Sequence, residues 1–143
     1  GADKVVQYPK QDFYKIFKSN KEGQDVDLIL DMIGGDYFEK NIDLLNQEGR
    51  LVNIAFLKGN SVKLDLSKLM MKRINLTGST LRPRTTEFKS KIAEELRETV
   101  WPLLDTQKIR VHVDSIFPLE KFKDAHIRME NGNHLGKIIL SLD

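Results

Sequence analysis

The sequence predicts an α/β protein built on a largely parallel sheet. Short strand-like runs alternate along the chain with segments of helical period. The run Val26 to Ile33 is apolar apart from Asp27 and Asp31, and it feeds directly into Gly34-Gly35. A second such run, Gly49-Arg50-Leu51-Val52-Asn53-Ile54-Ala55-Phe56, follows one helix later.

Taken in order, Val5-Val6 between polar residues reads as a short strand. Pro9 and Asp12 then open a helix with Phe13, Ile16 and Phe17 on one stripe, and Gly23 ends it. The pattern from Val26 to Ile33 suits a strand buried on both faces, as in a parallel sheet. Asp36 is placed to cap the next helix, where Phe38, Ile42 and Leu45 share a face and Gly49 supplies the stop. Leu51 to Phe56 is the next strand, and Leu64, Leu66, Leu69, Met70 and Met71 mark a short amphipathic helix. Ile74 to Ser79 is a further strand. Thr85 or Thr86 opens the longest helix, with Phe88, Ile92, Leu96, Val100 and Leu103 on one stripe and Pro102 bending or shortening its end. Ile109 to Phe117 as strand, Leu119 to Met129 as helix closed by Gly132, and Lys137 to Leu142 as strand complete the chain.

Composition narrows the function classes. The 143 residues are of one-domain size and of ordinary globular composition. With no cysteine, disulfides and thiolate zinc ligation within this chain are excluded, and a reducing compartment is compatible. No apolar run approaches the roughly 20 residues that span a bilayer, and the start lacks the pattern of a signal peptide, so a soluble chain is expected. Net charge is +2, yet Lys58 to Lys91 holds nine Lys or Arg against Asp65 and Glu87. Such a stretch serves either an anionic partner or a solvated face. His112, His126 and His134 have no metal-ligand spacing, and no nucleophile stands beside a base in a recognisable motif. No catalytic side chain and no metal ligand is therefore nominated.

Gly1-Ala2-Asp3 before a strand ending in Tyr8, Leu30-Asp31-Met32-Ile33-Gly34-Gly35, and Gly49 through Leu57 together resemble the cofactor domain of the medium-chain dehydrogenases/reductases. Thr77-Gly78-Ser79-Thr80-Leu81-Arg82-Pro83-Arg84, Val100-Trp101-Pro102-Leu103-Leu104 and Gly136-Lys137-Ile138-Ile139-Leu140 narrow the resemblance to the zinc-independent NAD(P)H quinone oxidoreductase (zeta-crystallin-like) branch. That family has a doubly wound Rossmann sheet in the order 3-2-1-4-5-6 with a Gly-rich phosphate turn after its first strand. The resemblance implies that residues 1–143 are the C-terminal part of such a domain, a partial Rossmann fold lacking its first two strands and that turn. No Gly-x-Gly-x-x-Gly occurs in the sequence. Residues 109–143 would return toward an N-terminal catalytic domain. The missing strands leave Lys4 to Tyr8 and one edge of the next strand without neighbours, which oligomerisation or a rearranged N-terminal segment would remedy.

The family's roles carry over position by position. Met32, Ile33 and Gly34 correspond to cofactor contacts beyond a strand's carboxyl end, although Gly34-Gly35 read alone serves equally as a tight strand-to-helix turn. Ala55, Phe56 and Leu57 correspond to backbone laid against a nicotinamide ring; Phe56 by itself would read as a core aromatic. Tyr8 matches a position near the adenosine ribose, or its 2′-phosphate in members that prefer NADPH, which leans the cofactor toward NADP over NAD, although read alone it serves equally as a tyrosine ending an edge strand. Leu81 and Arg82 match a segment lining the cleft, and Asn133 and Lys137 one that approaches the cofactor. The implied activity of the parent is hydride transfer from NAD(P)H to a quinone or α,β-unsaturated carbonyl, with no protein acid, base or metal. The chain alone would be inactive. The family also implies a cytoplasmic homo-oligomer, commonly a dimer joined through the edge at residues 74–79. A rival reading is a non-catalytic nucleic-acid-binding or structural module using the basic stretch. Only Phe88 supplies an aromatic residue there, which disfavours it.

Overall fold

In the computed structural model, residues 2–8, 10–19 and 26–142 are described. Chain contacts group residues 1–83 into one unit and 84–143 into another. In the first unit the elements run α1 (Phe13–Ser19), β1 (Val26–Asp31), α2 (Tyr37–Leu44), β2 (Leu45–Asn53), α3 (Leu66–Lys72) and β3 (Asn75–Gly78). The three strands form a parallel sheet in the order β1-β2-β3. Helical crossovers between parallel neighbours are what the alternating sequence pattern requires.

The core lies where α2 and α3 meet one face of β2. Phe38 and Ile42 from α2 close over Leu45, Leu51 and Ile74, and Ile29, Leu64, Leu69 and Leu76 pack around them. Ile29 stands opposite Leu51, and Leu51 opposite Leu76, so one row of apolar side chains crosses all three strands. The Lys72 ammonium donates to the carbonyls of Ile42, Asp43 and Leu45 at 3.2, 2.8 and 2.8 Å. It thereby satisfies the carbonyls that the end of α2 leaves over, where a cation also suits the helix dipole.

Four expectations are corrected. The segment around Val5-Val6 is no strand: among the described residues β1 pairs with β2 alone, and a lone extended segment has no ladder to complete. Instead Tyr8 meets Tyr37 edge to face at 6.0 Å, and Lys4 lies 5.9 Å over Phe17. Secondly, β1 is not buried on both faces. Leu28 and Leu30, 64% and 59% exposed, point away from the face that α2 and α3 cover. Thirdly, α2 ends before Leu45 rather than at Gly49, and β2 begins at once. Gly49 instead sits in an irregular stretch of β2 after Glu48 (φ 64°), where an added Cβ would crowd Leu45. Fourthly, Ile54 to Phe56 lie beyond β2 as a loop, as does Ile109 before its strand. Asp36 does stand at the N-cap of α2, with no capping bond from its side chain. Pro9 and Gly23 lie outside the described residues.

The second unit contains α4 (Thr86–Thr99), α5 (Trp101–Asp105), β4 (Val113–Pro118), a 3₁₀ turn (Leu119–Lys121), α6 (Phe122–Glu130) and β5 (Lys137–Ser141). The hydroxyl of Thr85 caps α4 by accepting from Phe88 N–H at 3.2 Å. Val100 ends that helix and starts α5, with Pro102 in the new first turn, as its missing N–H requires. β4 and β5 pair in parallel. The Arg128 guanidinium grips Asp114 with two bonds of 3.0 and 2.8 Å, and Leu135 N–H adds a third at 3.1 Å. Together they hold the Asp114 carboxyl well below the usual carboxylate range.

Candidate functional site

Three parallel strands end at the same edge, and the loop after each carries predicted site residues. Met32, Ile33 and Gly34 follow β1, Ala55, Phe56 and Leu57 follow β2, and Leu81 and Arg82 follow β3. Parallel strands put their carboxyl ends together by construction, which is why open α/β sheets bind ligands there.

Backbone bonds join the first two loops. Leu57 N–H donates to Met32 C=O at 3.1 Å, Lys58 N–H to Ile33 C=O at 2.8 Å, and Gly35 N–H to Gly59 C=O at 3.1 Å. Gly34 and Gly35 both have positive φ, 64° and 52°. An added Cβ would lie 2.6 Å from Gly59 O at Gly34 and 2.5 Å from Lys58 O at Gly35. The glycine pair is thus demanded twice, by the backbone conformation and by the loop that passes against it. The Lys58 ammonium lies 4.8 Å from the ring centre of Tyr37, just beyond the pair.

The loops after β2 and β3 border an open cleft of about 1070 Å³ lined by residues 53–57 and 78–82. Its walls are mainly apolar: Ile54, Phe56, Leu57 and Leu81 all expose large hydrophobic surface, Phe56 at 62%. Exposure at this edge answers the core-aromatic reading of Phe56. Ile54 N–H is used by Asp31 C=O (2.9 Å), Ser79 N–H by Asn53 C=O (2.9 Å) and Leu57 N–H by Met32 C=O. The N–H groups of Ala55 and Phe56 donate to none of the described residues. Tyr8 borders a separate recess of about 230 Å³ with Met32, Ile33 and Asn41. The structure therefore brings together Tyr8, Met32, Ile33, Gly34, Ala55, Phe56, Leu57, Leu81 and Arg82 around one sheet edge. Asn133 and Lys137 belong to the second unit, where Asn133 C=O accepts from Arg128 at 3.4 Å and Lys137 N–H donates to His112 C=O at 2.9 Å.

Sequence reading missed the group beneath the loops. Asp31, 3% exposed, accepts from Ile33 N–H at 2.7 Å and Gly34 N–H at 3.0 Å on one oxygen. Its other oxygen accepts from the amides of Asn41 (3.2 Å) and Asn53 (3.3 Å). The available signal was two polar residues, Asp31 and Asn53, interrupting apolar runs, since a buried Asp or Asn implies fixed partners.

The basic stretch does not form a field of unengaged cations. Lys68 pairs with Asp43, Arg73 with Glu48 and Lys91 with Glu87, while Lys72 caps α2, and Lys58 and Arg84 lie over Tyr37 and Phe88.

A model of the zinc-binding dehydrogenase family matches residues 1–140. The mouse quinone oxidoreductase-like protein 2 is 28% identical over 143 residues, covering 99% of this chain and 40% of that protein. A mycobacterial quinone oxidoreductase superposes with a TM-score of 0.76 at 26% identity over 99% of this chain and 44% of its own. The Escherichia coli quinone oxidoreductase complexed with NADPH gives 0.72 at 25% identity, over 97% and 44%. The chain thus spans less than half the length of these relatives. The residues here do not fit the zinc of the family description: the sequence has no cysteine, and no three metal-ligating side chains cluster among the described residues. Nor is any helix of the described residues long and apolar enough to cross a membrane.

Proposed function

The chain belongs to the zinc-binding dehydrogenase family, and from that premise we propose that it forms the nicotinamide-side wall of a zinc-independent oxidoreductase that reduces a quinone or α,β-unsaturated carbonyl. The observation that carries this reading is the apolar cleft that the loops after β2 and β3 form at the carboxyl edge of the parallel sheet. A reduced nicotinamide bound there supplies the hydride.

This chain's residues bind and orient. The N–H groups of Ala55 and Phe56, which donate to none of the described residues, suit a carbonyl oxygen such as that of a carboxamide. Met32, Phe56, Leu57 and Leu81 present apolar surface that suits exclusion of water from a reacting ring. Arg82 at the cleft lip suits an anionic or carbonyl group. Asn133 and Lys137 remain assigned as cofactor contacts on the family pattern. NADPH is favoured over NADH because the Tyr8 phenol, half-exposed beside the Met32 recess, suits a 2′-phosphate. β3 pairs on one side only among the described residues, which supports its outer edge, residues 74–79, as the seam of a cytoplasmic homodimer. Without a Gly-rich phosphate turn among its residues, the chain alone is expected to be catalytically silent and to hold nicotinamide weakly.

The test is amide-resolved NMR of the chain titrated with reduced nicotinamide mononucleotide and, separately, with NADPH. Shifts centred on Ala55, Phe56 and Leu81 with both ligands, and at Tyr8 with NADPH alone, are expected. Shifts from neither ligand, or shifts confined to other regions, would overturn the proposal.

A further inference from the structure

We infer that Asp31 is the positioning residue of this edge: its buried carboxylate locks the backbone of residues 32–34, and through it the loop after β2, into one arrangement. The inference deepens the proposed function and rests on it only for the identity of the ligand.

Asp31 ends β1 with its side chain buried, its two oxygens placed as acceptors. Four donors converge on it, two backbone N–H groups from the turn that leaves β1, one amide from α2 and one from the last residue of β2. Occupying the N–H groups of Ile33 and Gly34 bends that turn so that the carbonyls of Met32 and Ile33 face the next loop. There they accept from Leu57 and Lys58. The same turn presents Gly34 and Gly35 to Gly59 and Lys58 at distances that admit no Cβ. Asn53 ties the carboxylate to the strand from which Ala55 and Phe56 depart. One side chain therefore fixes the separation of the loops that follow β1 and β2, the second of which borders the cleft, and it does so without itself lining the cleft.

This assignment differs from a merely structural one in where its loss is felt. Removing a general stabiliser lowers protection across the sheet together, whereas removing a positioning group loosens the segment it holds. Asp31→Ala is expected to raise amide exchange at Ile33, Gly34, Leu57 and Lys58 by about tenfold or more while Leu51 and Leu76 change much less. Asp31→Asn keeps one acceptor oxygen and should recover most of the protection at Ile33 and Gly34. Asn53→Ala, which removes one donor of four, should loosen Leu57 and Lys58 selectively and decides the matter if Asp31→Ala does not fold. Unchanged exchange at Leu57 and Lys58, or an equal rise at Leu51, would overturn the inference.

A titration with reduced nicotinamide mononucleotide separates this inference from the functional reading. If the unmodified chain binds at Ala55 and Phe56, Asp31→Ala should weaken those shifts about tenfold or more, and equal binding would overturn the role. If the unmodified chain shows no shifts, the functional reading fails and the exchange pattern alone decides for or against Asp31.

Discussion

Leu51 has no exposed surface and sits at the crossing of the apolar row from Ile29 to Leu76 with the α2 side chains Phe38 and Ile42. Truncation there leaves a cavity that both layers must collapse to fill. Leu51→Ala should cost about 2–5 kcal/mol in urea unfolding. Gly34 is sensitive for a different reason. Gly34→Ala would place a methyl against Gly59 O and hold an L-residue at positive φ, which alone costs roughly 1–2 kcal/mol. The exchange of Leu57 and Lys58 should rise with it, because the displaced partner is their own loop.

Among the elements, α2 is held at its end by charge. At its C-terminal end the Asp43 carboxylate takes the Tyr14 hydroxyl and the ammonium groups of Lys18 (3.2 Å) and Lys68 (3.1 Å). Chiefly through the Tyr14 bond, these hold the Asp43 carboxyl well below its usual range. A carboxyl depressed in the folded state stabilises fully above the unfolded value, about 3.9. That stabilisation is lost as pH falls through the folded value. The urea midpoint should therefore fall from about pH 5 downward, and Asp43→Asn should flatten that slope. Thr85→Ala removes the one side-chain cap of α4 and should cost about 1 kcal/mol, read as reduced helicity of residues 86–99 by NMR. The predicted stripe of α4 is helical as expected, but none of its residues is buried, so periodicity identified the helix without identifying a core.

At the scale of the whole molecule, apolar burial is uneven. The described core cluster, Phe38, Ile42, Leu45, Leu51 and Ile74, belongs to residues 1–83, whereas the second unit buries Ala125 while Trp101, Ile116 and Leu142 stay exposed. Local stability follows burial. Native-state exchange should accordingly find its slowest amides in β1, β2 and β3 and faster exchange throughout β4 and β5. Equal protection in both units would contradict that distribution.

The order of strands and helices from α1 onward, the parallel sheet, a cap at Thr85 or Thr86, the helix break near Pro102 and the glycine pair beyond β1 were legible in the sequence. Each is set locally, by the spacing of apolar residues or by the backbone limits of Gly and Pro. The residues on the cleft edge were legible too, since parallel strands deliver their carboxyl ends to one side. What surrounds each element was decided elsewhere. Val5-Val6 has strand composition and no ladder partner, β1 reads as doubly buried and is covered on one face, and Gly49 reads as a helix stop and lies within a strand. The Asp31 hub unites residues as far apart as Asn53. Strand pairing, burial and a shared hydrogen-bond acceptor all depend on partners remote along the chain, and a local pattern holds no information about which partners arrive.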